Sequence, residues 1–179
     1  DSGKISLDDQ VTASAHAASM GGSDIWLKEG ETMSVNDLIK ATVIMSANDA
    51  AVVLAEHVYG TEDEFVKQMN IRAKQLGMND TTFKNCNGLD ADGHLTTGHD
   101  VALMSAELIK HEKIFDYTLT WMDYVRDGET QLVNTNKLIR SYKGITGLKT
   151  GTTSQAGSCI SATAKRDNLS LVAVVLGCS

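Results

Sequence analysis

Apolar residues recur at helical spacing through the first two thirds of the chain and gather into strand-like runs in the last third. Residues 1–33 show no clean period; Val11 to Ser19 is rich in Ala and Ser, and Gly21-Gly22 breaks it. Ser34 can cap a helix, with Asp37 at its third position. Leu38, Ile39, Val43 and Ile44 continue that helix, the pattern pauses at Ser46-Ala47-Asn48-Asp49, and it resumes with Val52, Val53, Leu54 and Val58 until Gly60. Thr61 and Glu64 form a second capping box, and Phe65, Val66, Met69, Ala73 and Leu76 give the following helix a buried face that ends at Gly77. Residues 78–96 read as loop. Thr97 with Asp100 caps another helix bearing Val101, Met104, Leu108 and Ile109.

Beyond about residue 117 the pattern changes. Thr118 to Val125 and Thr130 to Val133 flank Arg126-Asp127-Gly128-Glu129, a plausible hairpin. Gly147 to Thr153 reads as a strand, and Gly157 to Lys165 and Leu169 to Leu176 read as two more around a turn at Asp167-Asn168. In the last of these, Leu169, Leu171, Ala173 and Val175 alternate with Ser170, Val172, Val174 and Leu176. Both faces are mostly apolar and look built for burial. Helices first and an antiparallel sheet last predict one α+β domain, mostly helical over about 5–117 and stranded over about 118–179.

Composition narrows the function classes. With 42% hydrophobic residues the 179-residue chain can bury a real core, and its net charge of −7 argues against a nucleic-acid partner. No apolar run approaches the roughly 18 residues of a membrane span. Cys86, Cys159 and Cys178 are too few and too scattered for a disulfide framework and lack zinc-ligand spacing, so they read as small buried or half-buried thiols. The chain contains no proline, and the sequence offers no functional account of that.

Two short motifs could carry chemistry. Lys149-Thr150-Gly151 places a lysine beside a hydroxyl on a strand, a clamp for a small carboxylate, and the glycine leaves room for a ligand against the strand. Such a triplet is expected by chance only about 0.04 times in a chain of this length. An exposed edge-strand lysine is the plain alternative. Ser46-Ala47-Asn48 is far less specific, since Ser-x-Asn is expected about 0.5 times; Ser34-Val35-Asn36 also matches. Ser46, however, interrupts two apolar helical runs, where a Ser/Asn turn is locally unfavourable and calls for a reason. A helix-to-helix cap would be one. The five histidines show no His-Glu-x-x-His arrangement, and Asp90-Ala91-Asp92-Gly93 lacks the rest of a calcium loop.

In this order the two motifs resemble the set of penicillin-binding proteins and class A β-lactamases: Ser-x-x-Lys, Ser-Asp-Asn, Lys-Thr-Gly. The flanks are more specific. Met45-Ser46-Ala47-Asn48-Asp49-Ala50-Ala51, Met69-Asn70 with Leu76-Gly77-Met78, Asn87-Gly88-Leu89, Gly147 to Thr153 and Ala156-Gly157-Ser158-Cys159 resemble the serine-type D-alanyl-D-alanine carboxypeptidases, the low-molecular-mass penicillin-binding proteins. There are two departures. No Ser-x-x-Lys occurs in the chain; the resemblance implies that it lies roughly fifteen residues upstream of Asp1. The chain also stops at a strand where the family continues into a helix, and often into a further domain and membrane anchor. At Thr152 some relatives carry histidine.

The resemblance implies an incomplete penicillin-binding protein/β-lactamase-like transpeptidase fold and removal of the terminal D-alanine from peptidoglycan stem peptides through an acyl-enzyme. It gives Ser46 a proton-passing role and Asn48 a hold on the substrate backbone. Lys149 and the Thr150 hydroxyl would hold the terminal carboxylate, Gly151 would leave room for the substrate against the strand, and the Thr152 N–H would complete the oxyanion hole. It implies no cofactor, β-lactams as ligands, an extracytoplasmic location, membrane association only through segments outside the chain, and possible self-association through the strand at 169–176. A β-lactamase, a transpeptidase or an inactive peptidoglycan-binding module is the alternative.

Overall fold

The Ser34 hydroxyl accepts the Asp37 amide at 3.0 Å and so starts helix α2 (Val35–Lys40). The computed structural model describes residues 5–178. Upstream, β1 (Gln10–Thr12) pairs antiparallel with β2 (Thr32–Ser34), with the short helix α1 (Ala15–Ala18) between them. After α2 come a single π-helical turn over Ala41–Met45, α3 (Asn48–Tyr59) and α4 (Glu62–Gln75). Thr61 caps α4, and Thr97 caps α5 (Gly98–Leu108) through the Asp100 amide. Gly60 ends α3 at φ +84°, a conformation favoured by glycine. Ile25, Leu38, Ile44, Val52 and Val53 are buried at the centre of this half, each contributing roughly 1.5–3 kcal/mol. The buried face expected on α4 is only partly realised. Ala73 is buried, while Phe65, Met69 and Leu76 are half-buried around a cavity of about 290 Å³.

The strand expected from Thr118 starts later. Residues Phe115–Thr118 form a helix, α6, and β3 (Met122–Val125) then pairs with β4 (Thr130–Val133). Tertiary partners outweigh local propensity here: the Tyr117 hydroxyl donates to Asn36 Oδ1 at 2.8 Å, and that of Thr118 donates to the Thr146 carbonyl at 2.8 Å. After helix α7 (Leu138–Ser141), the strands β5 (Ile145–Thr153), β6 (Gly157–Arg166) and β7 (Leu169–Cys178) form an antiparallel meander. Lys149 lies opposite Ser161, and Ala162 opposite Ala173. Helix α5 covers one face, where the buried hydroxyls of Ser105 and Ser161 share a hydrogen bond of 2.7 Å. Val172 and Val174 are half-buried, but Leu169, Leu171, Ala173 and Val175 are exposed. The two-sided burial expected of β7 is therefore met on one side only among the described residues.

Candidate active site

The pause in the apolar pattern at Ser46 is a change of backbone. The π-helical turn carries the chain out of α2, and Ser46 adopts φ 66°, ψ 34°, the left-handed region that a non-glycine residue enters seldom. Residues 21–27 brace this kink. The Ser23 hydroxyl donates to the Met45 carbonyl at 2.8 Å, and the Ser23 carbonyl accepts the Asn48 amide at 2.7 Å. Asn48 Nδ2 donates to the Gly21 carbonyl at 2.8 Å, leaving its carbonyl oxygen as the side chain's acceptor. Gly22, at φ +87°, is needed here, because a Cβ would come within 2.9 Å of that Nδ2. The buried Asp49 carboxylate accepts the amides of Ile25, Leu27 and Ala50 at 2.8–3.2 Å. Segment and helix start are thus one unit.

Strand β5 supplies the opposite wall. Lys149 Nζ donates to the Thr150 carbonyl at 2.9 Å, and burial pushes its ammonium down to about 8. The Thr150 hydroxyl donates to Thr135 Oγ1 at 2.7 Å, while the Thr135 amide donates to the Ile44 carbonyl at 3.2 Å. Thr135 therefore bridges β5 to the turn that carries Ser46. At the far end Asp90 accepts the hydroxyls of Thr153 and Ser154 at 2.6 and 3.0 Å and the Gln155 amide at 3.3 Å. The Thr153 hydroxyl bond is the leading cause that holds the Asp90 carboxyl below its ordinary range. Ser46, Asn48, Lys149, Thr150, Gly151 and Thr152 all line one cleft of about 320 Å³. Among the described residues lining it, Lys149 is the single charged side chain. The cleft thus offers one poorly solvated cation among neutral hydrogen-bonding groups, suited to a ligand with one carboxylate.

A family profile described as D-alanyl-D-alanine carboxypeptidase (peptidase S11) matches residues 1–179. The chain belongs to this family. It is 48% identical over 182 residues to the D-alanyl-D-alanine carboxypeptidase DacF of Bacillus subtilis, covering 100% of this chain and 47% of that protein. With DacC of Escherichia coli it shares 38% identity, covering 97% of this chain and 45% of the relative. The chain therefore spans about half the length of the curated relatives it matches. Among solved structures, penicillin-binding protein 5 from Haemophilus influenzae superposes with a TM-score of 0.91 at 31% identity, over 98% of this chain and 52% of that one. The ampicillin-bound penicillin-binding protein D2 from Listeria monocytogenes does so with a TM-score of 0.86 at 35% identity, over 97% and 71%. The fold is that of the penicillin-binding proteins.

In this carboxypeptidase-family chain, both motifs singled out in the sequence meet at one cleft, and the Ser34-Val35-Asn36 decoy does not, its serine being a helix cap. Sequence reasoning missed several residues. Asn87, Gly88, Leu89 and Cys159 also line the cleft. Asn87-Gly88-Leu89 was visible as a family-like segment, but nothing local placed it at the site. Thr135 belongs to no motif or period that would have singled it out. Asp90, noticed as part of a failed calcium loop, instead clamps the β5–β6 turn. Of the thiols, Cys86 and Cys159 are half-buried as expected, whereas Cys178 is exposed.

Proposed function

We propose that the protein represented by this chain removes the terminal D-alanine from peptidoglycan stem peptides as a serine-type carboxypeptidase, and that this chain forms the carboxylate-recognising and proton-handling side of the site. The carrying observation is Lys149, one poorly solvated cation beside the Thr150 hydroxyl in a cleft otherwise neutral among its described residues. A substrate with a free C-terminus presents one carboxylate, and Lys149 takes it together with Thr150, whose hydroxyl turns its one proton from Thr135 to the carboxylate while Thr135 donates back to it. Gly151 lets the peptide lie along β5. The Thr152 N–H donates to the carbonyl oxygen as it becomes an oxyanion. Asn48 orients the substrate backbone, and Ser46 passes a proton to the departing amine. Attack comes from a serine of a Ser-x-x-Lys motif, which these 179 residues do not contain. We read the chain as one incomplete catalytic domain, acting outside the cytoplasmic membrane where peptidoglycan lies. β-Lactams are expected ligands of the same cleft, in keeping with the ampicillin bound to the Listeria relative.

The test is equilibrium binding of an N-acyl-D-Ala-D-Ala peptide by calorimetry. The peptide should bind, its C-terminal amide should not, and Lys149→Ala should weaken binding about 30- to 1,000-fold, the loss expected for a charge-assisted contact. Equal binding of acid and amide would remove Lys149 from this role. Penicillin should leave no covalent mass on the chain. A β-lactam-sized gain on any serine would show that the nucleophile lies within it.

A further inference from the structure

We propose that Trp26 is a stacking platform for the acetylated sugar to which a stem peptide is attached, a subsite beside the cleft. This rests on the peptidoglycan reading above. Trp26 is 73% exposed, the most exposed large apolar side chain among the described residues. Its backbone lies at φ +55°, a genuine outlier for a bulky side chain. The cause is visible. The Asp49 carboxylate draws in the amides on either side, Ile25 at 3.2 Å and Leu27 at 3.0 Å, and turns the residue between them outward. Strain held in this way, with the largest apolar side chain pushed into water, calls for a function.

The surroundings select the ligand. Trp26 edges an open groove of about 670 Å³ walled by Lys28, Glu29, Glu31, Arg126 and Glu129. One aromatic face among charged, hydrogen-bonding side chains suits a pyranose, which has C–H groups on its faces and hydroxyls around its rim. It does not suit an apolar helix or a lipid surface, which would need a contiguous apolar patch. Three carboxylates against two cations also disfavour a polyanion. The position fits the substrate. Ser23 lines the cleft, and its Cα lies within roughly 11 Å of that of Trp26, since three residues can span no more. Asp49 directly follows Asn48, so platform and cleft share one rigid mount.

The chain has two tryptophans, and the second, Trp121, is packed under the Arg140 guanidinium at 4.9 Å. In a Trp121→Phe background the emission therefore reports Trp26 alone. Titration with an uncharged N-acetylglucosamine tetramer should shift that emission. Binding followed by calorimetry should weaken about tenfold or more in Trp26→Ala and stay within about threefold in Trp26→Phe. Trp26→Gly should melt at a higher temperature while losing the saccharide, as expected if the strain serves the platform. Lys149→Ala should bind the saccharide normally while losing the D-Ala-D-Ala peptide, so the two readings fail separately. No emission change, or saccharide binding by Trp26→Ala or Trp26→Gly equal to the parent's, would overturn the platform. A response to the bare peptide but not to the saccharide would do the same.

Discussion

A carboxylate that gathers several backbone amides cannot be shortened without stranding them. Asp49→Ala leaves the buried amides of Ile25 and Leu27 without their acceptor. It should cost about 3–5 kcal/mol in urea denaturation, with Asp49→Asn costing less. Lys149 behaves in the opposite sense. Burial lowers its ammonium from an ordinary 10.5 to about 8, so the folded state holds that proton less tightly than the unfolded chain does. Below about pH 8 the folded protein carries a poorly solvated charge. That penalty lifts as pH rises from about 8 to 10.5, and stability should climb across this window. Lys149→Met should therefore stabilise the protein at neutral pH by on the order of 2–3 kcal/mol, a gain that shrinks toward zero near pH 10.5. Denaturation curves at several pH values check this; a pH-independent effect would mean that the ammonium is not desolvated. Lys149 was legible because its triplet is rare, whereas the work of Asp49 was not, because its partners lie 22 and 24 residues away in the chain.

At the level of elements, the caps were the most readable features. Ser34, Thr61 and Thr97 each bond an amide three residues on, a purely local event. The β1–β2 pair escaped notice because three-residue strands are too short to show a period. The end of helix α6 was misread as strand from Thr118 because the partner of that residue, Thr146, is distant. The meeting of β5 with α6 is also where a small change should matter most. Gly147 sits at φ +135°, and a Cβ there would fall 2.7 Å from Thr118 Cβ. Gly147→Ala should displace β5 at a point two residues before Lys149, at a cost of about 2–4 kcal/mol. Peptide affinity should fall with it. A variant of unchanged melting temperature and affinity would show that β5 tolerates the displacement.

For the whole chain, the largest departure from the sequence pattern is the uncovered side of β7. Leu169, Leu171 and Val175 are 60%, 58% and 51% exposed, although the pattern reads as two-sided burial. A row of exposed apolar residues on a sheet favours association with another apolar surface. Light scattering should show the chain self-associating as concentration rises, and Leu171→Lys with Val175→Lys should restore a monomer. A wild-type chain that stays monomeric and binds no hydrophobic dye would sink this. The arrangement of helices followed by an antiparallel sheet was legible from periodicity alone. How the two parts meet was not, since that depends on individual hydroxyls with no sequence period.

Those hydroxyls have a consequence of their own. Thr135 to Thr150, Thr118 to the Thr146 carbonyl, and Ser105 to Ser161 are contacts to the sheet that carry no formal charge, in contrast to the Asp90 clamp at the far end of the cleft. Dissolved ions screen charges and leave such bonds nearly untouched. The end of the cleft at Ser46 and Thr150 should therefore keep its width from dilute buffer to molar salt, even if the Asp90 end loosens. Weakening of ligand binding along that series that persists in Asp90→Asn would measure the meeting of one ammonium with one carboxylate, free of any change at the charged end of the cleft.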